Sequence, residues 1–171
     1  PNSRFVLRAA ARLHVHMGEA DKALHVLRRS DSTPSDPWLV AAEIAVSDFV
    51  GGRPRHVRTG RRLLGSGRFD ARQTSELASA LGTLELSRGS ARKARRLLRQ
   101  SIASPTENSL AQAEWLSHSG AIIDVDPQRF SLVESFEAMS LDSYYAGEWT
   151  RALGFAREWL RDEPFARRAP V

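Results

Sequence analysis

Apolar residues recur at intervals of three and four along almost the whole 171-residue chain, as in Phe5, Leu7, Ala10, Ala11 and Val15, or Leu77, Ala80, Leu81, Leu84 and Leu86. That spacing is the period of an amphipathic helix, and nothing alternates at period two for long enough to make a strand. The chain is therefore expected to be all-α. Turn residues interrupt the pattern at Gly18, Pro34 to Pro37, Gly51-Gly52, Gly65 to Gly67, Gly89, Pro105, Gly120, Pro127, Gly147 and Pro164, which implies helices of about 11 to 19 residues. No stretch approaches the roughly 18 apolar residues of a membrane-spanning helix. The absence of cysteine excludes disulfides, thiolate metal sites and cysteine nucleophiles. A protein without a membrane partner is expected, in the cytoplasm.

The turns also repeat. Gly18, Gly52, Gly89 and Gly147 can each end the first helix of a pair, at spacings of 34, 37 and 58 residues. Seven residues before each glycine stand Ala11, Ala45, Gly82 and Ser140; five residues after stand Ala23, Val57, Ala94 and Ala152. Small side chains at these offsets let two helices of a hairpin cross closely. Pro54 would then occupy the first turn of the second helix in the second pair, where proline is tolerated.

These residues resemble the tetratricopeptide repeat, a 34-residue helix–turn–helix unit. Leu81-Gly82, Gly89, Ala94, Leu98 and Pro105 carry the likeness best, followed by Phe136, Gly147, Trp149, Ala152 and Pro164, and by Gly18, Ala23 and Leu27. The aromatic that the family keeps in its first helix is replaced by His14, Asp48, Glu85 and Ser143. The resemblance implies a right-handed α-α superhelix forming one domain, with units at about 4–37, 38–69, 71–106 and 129–164. The interval from Gly89 to Gly147 leaves room for an extra helix near 106–119 and a loop to 128. Pro164 followed by Phe165 reads as the opening of another unit, so the segment is expected to belong to a longer protein.

Charge divides the chain. Residues 1–106 hold 19 Arg and Lys against 9 Asp and Glu, and residues 107–171 hold 6 against 11, so the halves carry +10 and −5. The resemblance implies a concave face able to receive a peptide or a neighbouring domain. There Phe5, Arg8, Arg12 and His16 would suit a carboxylate. Glu134, Glu137, Leu141, Tyr144 and Tyr145 share another helix face, opposite Val133, Phe136 and Met139, and would suit an Arg- or Lys-bearing segment. Arg55, Arg58 and Arg62, with Arg88, Arg92, Arg95 and Arg99, would form convex basic stripes able to neutralise nucleic-acid phosphates or an acidic protein surface. Simple solvation or intramolecular pairing of charged helix faces is the competing account of these clusters.

Catalytic signatures are missing: no phosphate-binding glycine loop and no G-x-S-x-G occurs. His14 and His16 stand two apart, pointing in opposite directions from a helix, and cannot share a metal. Asp124 and Asp126 read as turn and capping residues. The expectation is a binding, scaffold or regulatory module that is not an enzyme and needs no cofactor, with a protein or peptide partner; nucleic-acid backbone binding is the alternative.

Overall fold

The computed structural model describes residues 3–120, 123–132 and 134–162. Val133, Pro164 and Phe165 lie outside the described residues. Nine α-helices account for the described fold: α1 (Arg4–His16), α2 (Ala20–Arg29), α3 (Pro37–Phe49), α4 (Val57–Leu64), α5 (Ala71–Ser87), α6 (Ala91–Ser101), α7 (Glu107–Gly120), α8 (Phe136–Tyr145) and α9 (Trp149–Asp162). No strand occurs among the described residues, and no described helix is long and apolar enough to cross a membrane.

The hairpin turns share one backbone solution. At Gly18 the glycine N–H donates to Val15 O at 3.0 Å and the next N–H, of Glu19, reaches back to His14 O at 2.8 Å. Gly89 with Ser90 and Gly147 with Glu148 make the same pair of bonds. This double closure satisfies the last carbonyls of a helix but demands a left-handed residue, and Gly18, Gly89 and Gly147 have φ of 77–78°. In the second pair the left-handed residue is Gly51 (φ 68°), with Gly52 supplying the following N–H. The register read at Gly52 is therefore one residue late; two adjacent glycines are locally interchangeable, and only the hydrogen bonds distinguish them.

That shift explains why the second pair departs from the others. Pro54 disfavours helical backbone at Arg53, and α4 begins only at Val57, so Pro54 precedes the helix rather than entering its first turn. The small residue at the crossing is Gly60, not Val57. A Cβ on Gly60 would sit 3.0 Å from Leu77 Cδ1 and 3.2 Å from Val40 Cγ1. Gly82 plays the same part in the third pair, where a Cβ would meet Leu98 Cγ at 2.9 Å. In the last pair Ser140 donates its hydroxyl to Ala152 O at 3.2 Å across the crossing.

Packing is between neighbours. α3 lies against α1 and α5, and α5 against α7; α2, α4 and α6 each cover the helices on either side of them in sequence; α8 packs on α7 and α9. The extra helix expected near 106–119 is α7, and it joins the third hairpin to the last. Leu27, Leu39, Ile44, Leu77, Leu81, Leu98, Leu110 and Leu116 are fully buried. Each contributes about 1.5–3 kcal/mol by leaving water. Leu63 of α4 and Leu97 of α6 join one apolar cluster with Leu77, Leu81 and Leu84. Both α4 and α6 thus turn an apolar side chain into the cluster around α5.

Candidate functional site

Arg8 fixes where α1 stands relative to the distant helices. Its Nη2 donates to Glu76 Oε2 at 2.6 Å, and the other oxygen of Glu76 accepts from Thr106 Oγ1 at 3.2 Å and Asn108 Nδ2 at 3.3 Å. Thr106 and Ser109 cap the start of α7 reciprocally, each hydroxyl accepting the other's backbone N–H. Arg72 adds two more ties, to Pro105 O at 2.8 Å and Glu107 Oε1 at 3.3 Å. One glutamate of α5 therefore holds α1 and the N-terminal turn of α7 together.

This arrangement opens a cleft of about 210 Å³ lined by Arg12 of α1, Glu107 and Asn108 of α7, Glu134 and Ser135 before α8, Glu137 of α8, and Trp159 and Asp162 of α9. Four carboxylates face one guanidinium there. Its volume falls below the ~300–1,000 Å³ of drug-sized sites, enough for one long side chain but not for a helix. A second recess, of about 250 Å³, is lined by Pro127, Phe130, Leu132, Phe136, Met139 and Phe155, and Ser135 borders both. An acidic pocket and an apolar one thus share a wall.

The two clusters expected to be separate overlap, because Arg12 and Glu137 line the same cleft although 125 residues apart. Arg8 anchors α1 instead of facing a ligand, Phe5 is 78% exposed, and His16 is half-buried; neither of the last two lines the cleft. The face from Glu134 to Tyr145 is also divided. Tyr144 and Tyr145 stand seven to eight residues beyond Glu137, about 11–12 Å further along the helix, too far to line the same cleft; Leu141, half-buried between them, lines neither recess. Tyr145 instead stacks on His118 with ring centroids 3.8 Å apart, and Tyr144 meets Tyr145 and Trp149 edge-on at 5.5 and 5.2 Å. Glu107, Asn108, Trp159 and Asp162 went unrecognised in the sequence because no local pattern links them.

Two buried glutamates have opposite electrostatic fates. Burial pushes the Glu43 carboxyl up, but the Arg55 N–H, the Arg28 guanidinium, the His56 N–H and the Ser47 hydroxyl together hold it below its ordinary value. Glu43 thereby substitutes for the missing helix start in the second hairpin. Glu114 of α7 is equally buried, and that burial raises its carboxyl; Asp142 and Asp126 add to the rise, while His118, 2.8 Å from Oε1, opposes it. Among the described residues, Oε2 of Glu114 has no hydrogen-bond partner.

The expected basic stripes are exposed. Arg58 and Arg62 stand on α4, Arg88 caps α5, and Arg92, Arg95 and Arg99 follow on α6; Arg55 lies in the loop before α4. Among the described residues no group of three His, Cys, Asp or Glu side chains is placed to hold a metal ion. Asp126 caps the short 3-10 turn Pro127–Arg129 by accepting from Gln128 N at 3.0 Å. Compared with known proteins, the chain matches no protein-family model, no curated protein and no solved structure.

Proposed function

We propose that this is a protein-interaction module, built of tetratricopeptide-like hairpins, whose acidic cleft receives an Arg or Lys side chain of a partner segment. The observation that carries the reading is the convergence of Glu107, Glu134, Glu137 and Asp162 from three helices and a turn on one cleft beside Trp159. With four carboxylates to the single guanidinium of Arg12, the cleft keeps a surplus of negative charge, and a further cation lowers the cost that each carboxylate imposes on its neighbours. The adjoining apolar recess suits a Leu, Phe or Met next to the basic residue. The matched turns at Gly18, Gly51, Gly89 and Gly147 support the repeat reading.

A random ten-residue peptide array tests this. Bound peptides are expected to be enriched in Arg or Lys beside a large apolar residue, and Glu137→Gln should weaken the best of them about 10- to 100-fold, the worth of one charge-assisted hydrogen bond. Enrichment of acidic peptides, or unchanged affinity of the E137Q and E134Q variants, would refute it.

A further inference from the structure

The outer side of α4 and α6 is chemically uniform in a way the cleft is not. Ten residues of these helices are exposed, and eight of them are Arg58, Arg61, Arg62, Arg92, Lys93, Arg95, Arg96 and Arg99; the others are Ala91 and Gln100. Arg61 is committed inward, to Glu85 of α5. Arg58, Arg62, Arg92, Arg96 and Arg99 make no ion pair with any described residue. Leu63 and Leu97 anchor both helices in one apolar cluster, and each helix leaves its charged side exposed.

We infer that this face binds the phosphate backbone of a nucleic-acid duplex. Protein interfaces have an apolar, often aromatic centre with few charges, and this surface has none. An interfacial helix at a membrane needs large apolar residues to insert, and those of α6, Leu97 and Leu98, are buried inwards. Single-strand binding needs aromatic platforms for bases, which neither helix has. What remains is a row of cations: Arg92, Arg96 and Arg99 lie on one helix face and span about 10 Å of rise, or about three nucleotide steps at ~3.4 Å each. The inference is independent of the peptide cleft.

Fluorescence anisotropy of the chain with a fluorescein-labelled 20-base-pair DNA of arbitrary sequence tests it. If four phosphates are neutralised, affinity falls about 150-fold between 50 and 200 mM salt, a log–log slope near −3.6. The triple variant Arg92→Gln, Arg96→Gln, Arg99→Gln should bring the slope close to −0.9 while keeping its helical circular dichroism, since Gln matches Arg in helix propensity. Glu137→Gln should leave DNA binding as it was. No binding at 50 mM salt, an unchanged slope in the triple variant, or displacement of the DNA by lower concentrations of polyglutamate or phosphatidylglycerol vesicles would overturn the inference.

Discussion

Replacing Glu43 by Gln removes a charge without changing shape, and its cost can be worked from the contacts. Oε1 accepts from Arg28 Nε at 2.9 Å, Ser47 Oγ at 3.1 Å and Arg55 N at 3.1 Å, while Oε2 accepts from His56 N at 3.3 Å. A glutamine can keep its oxygen at the first site, but its NH2 group then faces the His56 N–H. That leaves one donor unsatisfied, about 1–3 kcal/mol, and reduces the Arg28 bond from charge-assisted to ordinary, about 1 kcal/mol more. The expected loss is about 3 kcal/mol, a large share of the ~5–15 kcal/mol that holds a domain together. Because folding lowers the Glu43 carboxyl below its ordinary value of 4.5, its stabilisation is complete above that value and disappears as pH falls through the folded-state value. Urea unfolding followed by circular dichroism from pH 7 into acid should therefore show the widest gap between the two proteins at pH 7 and a gap that narrows as the pH falls below 4.5. A gap under about 1 kcal/mol at pH 7, or one that does not narrow at all with acidification, would refute the electrostatic account.

Glu114→Gln should act in the opposite direction. Folding raises this carboxyl, so ionising it above about pH 4.5 penalises the native state; the variant should be more stable than the parent at pH 7 and equal to it in strong acid, measured by the same urea titrations. Gly82→Ala gains up to about 1 kcal/mol of helix propensity but drives a Cβ to 2.9 Å from the Leu98 Cγ, inside a fully buried side chain, where overpacking costs about 1–3 kcal/mol. A net loss of about 1 kcal/mol, or ~2–4 °C in Tm, is expected by calorimetry, and a rise in Tm would show that the helices can separate freely. Gly147→Ala meets nothing within 4 Å, so its penalty of about 1–2 kcal/mol should come from the left-handed backbone alone; Gly147→Asn, which tolerates that conformation better, should recover some of it.

Helix content, the hairpin turns and most crossing points were legible in the sequence because they are short-range. A 3.6-residue period, a glycine free to take positive φ and a small residue seven positions earlier all act within about two helical turns. The placement of α7 followed from the same logic, as the surplus between Gly89 and Gly147. Even so, choosing between Gly51 and Gly52 needed the carbonyls of Ser47 and Asp48, and Gly60 emerged as the close-approach residue only from the side chains of Leu77 and Val40 pressing on it.

The cleft was decided elsewhere. Arg12, Glu107, Glu137 and Asp162 line one cleft because helices far apart in sequence pack together, α1 tied through Arg8 to Glu76 of α5, α5 against α7, α7 against α8 and α8 against α9. Nor does composition tell Glu43 from Glu114: both are glutamates in the interior of a helix. One finds two backbone N–H groups and a guanidinium, the other a histidine and two more carboxylates nearby. Periodicity is a property of neighbouring residues and survives in any packing of the helices, whereas burial, ion pairing and the gathering of charge depend on which surfaces the tertiary fold brings together.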